Sequence, residues 1–426
     1  MDRIHHAPSY YAATGLDQPE RRPLQGSSTA DVCIIGAGYT GLNAGIALAR
    51  RGYRVIVLEA ARVGWGASGR NGGQIVHSYS RDIDTIAARH GEAVAAPLGA
   101  MAFEGAKVLR CNVQDFGIAC HLQDGGIFAA LTDKQARQLE HHKALWESLG
   151  HPGLDIVSGS DARQLVDSAR YKALLVDPTG GHFHPLRLAQ GEAAALESLG
   201  GLIHEQSRVL RIERGAQPVV HTEAGRVQAR FVLVACNAYI GDLEPALLGR
   251  TMPCGTQVIA TEPLGERALD LLPQKHCVED CNYLLDYFRL SADGRLLYGG
   301  GVIYGAREIE KITEVIRPKL LKTFPQLQGV RIDYAWTGNF QLTLSRLPDV
   351  GRLSDNIYYS QGCSGHGVTF THLIGTVLAE AIDGQATRFD AFARLPHLPF
   401  PGGRMLRVPL TALAAWYYQL RDSLGF

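Results

Sequence analysis

Along the chain, short apolar runs alternate with clusters of glycine, after an opening stretch of 29 residues that has no apolar period and holds three prolines. Asp31-Val-Cys-Ile-Ile35 is β-branched, does not alternate with polar residues and ends in glycine, which predicts a parallel strand buried on both faces. Residues 42–51 are rich in Ala and Leu and stop at Gly52, the mark of a helix closed by a left-handed glycine. Residues 54–58 predict a second strand. Strand, glycine turn, helix and strand within about thirty residues make a βαβ unit.

A second glycine cluster fills residues 62–74. Residues 82–149 then predict helices, one beginning at Ile83, Ile86 and Ala87 and a charged amphipathic one over 133–149. Another helix covers 186–199. Strand character returns at 209–212, 219–222 and 231–235, and again, with aromatics, at 257–261, 283–290 and 295–298. Residues 315–324 predict a helix broken or started late by Pro318. Residues 357–361 predict a strand, followed by Gly-Cys-Ser-Gly-His-Gly and a helix over 368–382 whose Phe370, Ile374, Val377, Leu378, Ala381 and Ile382 share one face. A last helix is predicted over 410–420.

The nucleotide-binding features thus lie towards both ends, with other material between them. This layout predicts an α/β fold with α+β insertions. A discontinuous Rossmann-type domain occupies 30–80, 150–240 and 330–384. A substrate domain on an antiparallel sheet occupies 81–149 and 241–329, residues 1–29 form an arm draped on the surface, and 385–426 form a C-terminal extension with a helix.

Composition narrows the function. Lys+Arg number 42 and Asp+Glu 42, and no basic block occurs, so nucleic-acid binding by phosphate neutralisation is not expected. No run of 18 apolar residues is present, so no membrane span is expected. The start of the chain is polar, without an apolar signal core, and the eight cysteines are scattered. These features predict reduced thiols in the cytoplasm. Cys277 and Cys281 are the only close pair and lack a second pair at ligand spacing, so no metal is expected. Glycine is in excess, 48 of 426, about 11% against a usual 7%.

That excess concentrates where it carries chemistry. In Gly36-Ala-Gly38-Tyr39-Thr40-Gly41, Gly36 permits the tight turn, Gly38 lets backbone N–H groups approach a pyrophosphate, and Gly41 lets helix and strand pack closely. Glu59, eighteen residues further on with Ala60 beside it, can accept both hydroxyls of a ribose and would repel a 2′-phosphate. The second cluster supplies Gly66, Ala67, Ser68, Gly69, Asn71, Gly72, Gly73 and Gln74, small residues and amides able to line the longer path of a flavin dinucleotide. The third, Gly362-Cys-Ser364-Gly365-His366-Gly367, opens a helix whose free N–H groups would favour the negative charge of a reduced flavin. There His366 is expected to give a hydrogen bond or a positive charge.

D-V-C-I-I-G-A-G-Y-T-G, V-I-V-L-E-A, G-A-S-G-R-N-G-G-Q and G-C-S-G-H-G together resemble the D-amino-acid oxidase/sarcosine oxidase family of FAD-dependent amine oxidases, over residues 31–384. S-Y-Y-A-A, H-S-Y-S-R-D-I-D, G-G-H-F-H-P-L, M-P-C-G-T-Q-V-I, V-E-D-C-N-Y-L-L-D-Y, Y-G-G-G-V and W-T-G-N-F resemble one bacterial branch of it, the γ-glutamylputrescine oxidases of polyamine breakdown. The resemblance implies oxidation of the substrate's free primary amine to an aldehyde, with ammonia and hydrogen peroxide released and molecular oxygen as acceptor. The expected route is hydride transfer to flavin N5, then imine hydrolysis. Val209, Asn237, Gly338, Val368 and Thr369 complete the candidate FAD contacts.

In this family's sarcosine oxidases a cysteine near the position of Gly338 holds the flavin. This chain has none there, so noncovalent FAD is expected. Ser345 stands where many relatives carry aspartate, and Leu297 falls near the place of their oxygen-activating lysine. His366, Tyr283, Tyr287 and Arg289 are the catalytic candidates, with Asp286 as a further substrate contact and Arg289 or Arg295 for the γ-glutamyl carboxylate. The alternatives are an oxidase of sarcosine or another N-methyl amino acid, and a flavin-carrying subunit of a larger dehydrogenase.

Overall fold

The computed structural model describes residues 4–305 and 310–424. Two sheets organise them. In the first, Gly26–Ile35 lies between Val55–Leu58 and Gly225–Val234 with parallel pairing to both, and Leu202–His204 and Ile357–Gln361 extend the parallel order outwards. Asp349–Ser354 closes one edge antiparallel. The unbroken apolar run has its expected cause: Val32 and Ile34 enter one core, Cys33 and Ile35 the core on the other face.

Helix Tyr39–Ala49 begins three residues before the predicted start, because Gly38 is its N-cap. It packs against helix Gly367–Ile382 at Gly375, where a Cβ would lie 2.7 Å from Asn43 Cβ and 2.8 Å from Ala44 N. Just behind this crossing a fully buried carboxylate ties four helices together. Glu192, on helix Pro185–Ser198, accepts from Asn43 (3.0 Å), from Asn112 of helix Glu104–Asp115 (3.4 Å), and contacts His372 Nε2 at 2.9 Å. His372 Nδ1 reaches Val368 O at 2.6 Å, and a carbonyl can only accept, so that nitrogen carries a proton.

The second sheet has nine strands, antiparallel except where Cys277–Asp280 runs parallel to Gln123–Ala130. Ile332–Thr343, Thr251–Thr261, Leu296–Tyr304 and Tyr287–Leu290 follow on one side of that pair, and Ala173–His182 with Gln74–Ile75 on the other. Helix Ile312–Thr323 covers its apolar face, continuing through Pro318 where a break or late start is predicted. Ala173–His182 and Ile332–Thr343 fall within 150–240 and 330–384, yet both strands belong to this second sheet.

Other expectations need correction. Residues 1–29 do not simply drape over the surface. Ser9 caps a short helix, Tyr10–Ala13, and Tyr11 is fully buried with its ring 5.0 Å from Trp336 and 4.9 Å from His184. Single aromatic anchors leave no periodic trace. Gln123–Ala130 is a strand inside a stretch predicted helical, because paired glycines and alanines carry no β signal. The strand predicted over 283–290 is only Tyr287–Leu290, since Asp280 Oδ1 accepts from Asn282 N and Asp286 N and winds the preceding residues into a turn. The terminal helix is longer than predicted, Gly403–Leu424. Among the described residues, no helix is long and apolar enough to cross a membrane.

Candidate active site

One elongated cavity of about 810 Å³ runs from the first sheet to the second, within the range of cofactor and ligand sites. At the first sheet it meets the Gly36–Gly41 turn. Gly36 has φ +110°, and a Cβ there would lie 2.8 Å from Ala235 O. Glu59 straps the turn by accepting from Ala37 N (2.8 Å) and Ala61 N (2.9 Å), while it also lines the cavity. Burial pushes its pKa up, and those backbone donors oppose the shift.

The second glycine segment is laid directly on the first. Ser68 Oγ accepts from Tyr39 N at 3.0 Å, and Gly64 N donates to Ala37 O at 2.9 Å. Asn71 shapes the rest of the segment: its amide donates to Ala67 O and Ser68 O, and its Oδ1 accepts from Gly73 N at 2.8 Å. From the other side come Asn237, whose Oδ1 accepts from Gly362 N at 3.2 Å, and helix Gly367–Ile382, which starts at His366 without a side-chain cap. Helix Tyr39–Ala49 likewise has no side-chain cap. Two helix N-termini therefore open onto a single cavity without a side-chain cap from their own N-cap residues, Ser68 taking only the Tyr39 N–H of the first; the N–H groups that remain are a donor set suited to a diphosphate and to an anionic ring edge.

Gly36, Gly38, Tyr39, Thr40, Glu59, Ala60, Gly66, Ala67, Ser68, Asn71, Gly72, Gln74, Val209, Asn237, Gly338, Ser364, Gly365, His366, Gly367 and Val368 all line this cavity. Five expected contacts stand behind its wall. A Cβ at Gly41 would lie 2.0 Å from Gly36 O, at Gly69 2.2 Å from Gly64 O, at Gly73 2.3 Å from Phe183 O, and at Gly362 2.5 Å from Thr343 Cγ2. Thr369 is buried and donates to Val76 O. These five shape the wall from behind.

Desolvation pushes the His366 pKa down to about 4 against the pull of Asp82, so the ring is neutral at pH 7 and the expected positive charge is not held there. Its Nδ1 is buried and has no partner.

On the second sheet, Tyr283 and Tyr287 line the cavity, and Tyr287 reaches Thr256 Oγ1 at 3.3 Å. Arg289 does not line it. It is buried, with Nε donating to Gly72 O (2.7 Å), Nη1 to Leu290 O (3.2 Å) and Nη2 to Tyr11 (3.0 Å), so it fixes the Gly72 segment from outside. Arg295 pairs with Asp293 and Asp333, and Asp286 with Lys319, all away from the cavity.

Four charged residues that sequence reasoning missed do line it, Arg208, Asp242, Glu279 and Arg346, and the last two lie at its second-sheet end. Arg346, at φ +64°, donates to the Tyr283 hydroxyl at 2.8 Å and lies over its ring; Glu279 faces the cavity from Cys277–Asp280. The polar pair Ser345-Arg346 set between Leu344 and Leu347 was the available signal for Arg346. Leu297 is buried elsewhere, and no lysine lines the cavity among the described residues.

His77, His151 and Asp177 form a buried trio of ligand-type side chains outside the cavity. Asp177 accepts from both rings (3.4 and 3.2 Å) and from Thr179. A metal-bound imidazole turns its second nitrogen to an acceptor, but His77 Nδ1 has no partner, and burial pushes His77 down to about 4. The trio reads as two imidazoles donating to one carboxylate, with His77 neutral. Cys277 instead reaches Gly181 O at 3.1 Å.

The parallel sheet, its strapped glycine turn and two helix starts facing a shared channel define a flavin-dinucleotide-dependent oxidoreductase. The chain belongs to the FAD dependent oxidoreductase family, DAO, whose pattern matches residues 31–381, and its cofactor is FAD. It is 56% identical over 422 residues to gamma-glutamylputrescine oxidoreductase of Escherichia coli (strain K12), covering 99% of each chain. It is 36% identical over 425 residues to a probable oxidoreductase of Haemophilus influenzae, covering 98% of each. Among solved structures, glycine oxidase from Geobacillus kaustophilus superimposes with a TM-score of 0.73 at 22% identity, over 87% of this chain and all of that one. L-proline dehydrogenase from P. horikoshii does so with 0.73 at 20% identity, over 85% and 94%.

Proposed function

We propose that this enzyme oxidises the free primary amine of γ-glutamylputrescine to the aldehyde, releasing ammonia and, with molecular oxygen as acceptor, hydrogen peroxide. The observation that carries the reading is the 56% identity, over 99% of both chains, to a gamma-glutamylputrescine oxidoreductase. The eight free cysteines support the cytoplasm as its place of action.

Bound FAD supplies the two-electron oxidation. The chain's own residues position it. Glu59 would meet the ribose hydroxyls, the N-terminus of Tyr39–Ala49 the pyrophosphate, Gly66–Gln74 the extended middle of the molecule, and Gly365–Val368 the ring edge. Attachment is noncovalent in this reading. At Gly338 a Cβ would already lie 2.9 Å from Arg70 Cβ, leaving no room for a cysteine. Acid precipitation should leave all the yellow colour in the supernatant; colour in the pellet would refute it.

Arg346 offers the guanidinium for the substrate's carboxylate, with Tyr283 and Tyr287 walling the chain between the two ends. Arg346→Met is expected to raise KM for γ-glutamylputrescine by about tenfold or more, the loss of one charged hydrogen bond of about 1.5–3 kcal/mol, and to leave putrescine almost unaffected. Equal effects on the two amines would remove Arg346 from this role. The activity itself is tested by anaerobic titration of the FAD-loaded protein with γ-glutamylputrescine. Bleaching of the flavin bands is expected, and a spectrum unchanged at saturating amine would overturn the assignment.

A further inference from the structure

Among the described residues, three carboxyl side chains line the cavity: Glu59, Asp242 and Glu279. Glu59 is engaged by two backbone donors in the first sheet, and Asp242 has a partner of its own. Glu279 stands apart. It lies on the second sheet with Tyr287 and Phe128 as its register neighbours, so these three share a face, while Val278 next to it enters the core behind. Gln74, from the glycine segment assigned to the flavin, donates to Val278 O at 2.9 Å and brings that segment alongside. No donor among the described residues reaches the Glu279 carboxylate. A carboxylate set in a cavity wall without a counter-charge is costly, and such a group marks the place where a cationic ligand completes the site.

We propose that Glu279 receives the ammonium group of the substrate and takes its proton, delivering the neutral amine for oxidation. The inference rests on the amine-oxidase reading above. One N–H bond breaks and one carboxyl O–H bond forms; the electron pair stays on nitrogen, and the later two-electron step is the one FAD supplies. The need is chemical. A primary alkyl ammonium of this kind loses its proton near pH 10.4, so at neutral pH only about one molecule in a few thousand arrives ready to react. With Glu279 at one position and Arg346 at another, a single cavity offers opposite charges to a substrate that is cationic at one end and anionic at the other.

The groups around Glu279 allow it to work near neutrality. Asp280, Cys277 and Cys281 lie on or next to its own strand, Tyr287 faces it from the neighbouring strand, and Asp177 of Ala173–His182 shares a small void with it. Tyr283, Arg346 and His366 also line the cavity. Burial, and after it the charge of Asp280, push Glu279 up to about 7. In a folded chain this carboxyl holds its proton more tightly than when unfolded. Its cost to stability is therefore absent below about pH 4.5, grows as pH rises, and is complete above 7.

The test is anaerobic reduction of the FAD-loaded enzyme by γ-glutamylputrescine between pH 6 and 10, in wild type, Glu279→Gln and Glu279→Asp. Wild type should show a rate over Kd that climbs with pH through about 7. Glu279→Gln should bind FAD as before, react at least a hundredfold more slowly at pH 7.5, lose the limb near 7, and recover to within about tenfold at pH 10, where the amine is deprotonated in solution. Glu279→Asp should keep the limb at a reduced rate. A Gln variant indistinguishable from wild type overturns the proposal, as does a loss equal at every pH, or an Asp variant no better than Gln. Should wild type be reduced by a different primary amine instead, the substrate assignment falls, and the same pH series with that amine still decides the role of Glu279.

Discussion

Gly41→Ala is expected to give a protein that emerges from purification without its yellow colour. The added methyl would sit 2.0 Å from the Gly36 carbonyl oxygen and 3.1 Å from Ile34 Cγ2. Ordinary contacts to such an oxygen need more than 3 Å, so helix Tyr39–Ala49 must lift away from the turn or the turn must move. Neither neighbour is a flexible side chain that can swing aside. The displaced parts are those whose N–H groups face the cavity, so the damage falls on cofactor affinity. We expect FAD Kd to rise by a hundredfold or more, about 2.7 kcal/mol, and the ratio of absorbance at 450 nm to that at 280 nm to fall below a tenth of wild type. Gly52→Ala is the comparison. There φ is +84° and nothing lies within 4 Å of the added methyl, so it should cost about 1–2 kcal/mol of stability and keep its flavin. A Gly41→Ala protein as yellow as wild type would refute the close-packing account.

Glu192→Ala is expected to produce the largest loss of stability. The side chain is fully buried and is the shared acceptor for Asn43 and Asn112, with His372 against it. Removing it leaves His372 Nε2 without a partner and takes one acceptor from each amide, Asn43 keeping Tyr39 O and Asn112 keeping Asn43 Oδ1, in a buried junction. Breaking a buried charged network by deleting one member costs about 3–5 kcal/mol, which urea unfolding followed by circular dichroism would measure. Flavin retention should fall too, since Tyr39–Ala49 and Gly367–Ile382 meet at this junction and present their N-termini to the cavity. A midpoint unchanged from wild type would show that the junction holds by apolar packing alone.

The sequence made the cofactor half of the site legible because its requirements are local. A glycine turn between strand and helix, a carboxylate at the end of the next strand and a glycine-opened helix each declare themselves within about two dozen residues. Even there, lining residues could not be told from those behind the wall: Gly38 and Gly41 look alike in the chain, and only the approach of the Gly36 carbonyl separates them. The substrate half was largely hidden. Arg289 lies close to Tyr287 in the chain whereas Arg346 has no tyrosine near it in sequence, and which of the two faces the cavity depends on a strand register and on a residue with positive φ. Glu279 was passed over beside Asp286 for the same reason, because the turn organised by Asp280 decides which acid points where. The strand Gln123–Ala130 went unseen since its glycines and alanines are held by neighbours distant in sequence.

The seat of Tyr11 has a consequence for how the molecule is made. Its ring rests against Trp336 and His184, and its hydroxyl accepts from Arg289. The next strand along the chain, Gly26–Ile35, needs Gly225–Val234 for its second edge. At ribosomal speeds those partners emerge on the order of tens of seconds after the residues that wait for them. Until those partners emerge, the nascent chain carries a β-branched strand with one open edge, its other edge meeting Val55–Leu58, and a Tyr11 without its seat, so this part of the fold closes late in synthesis.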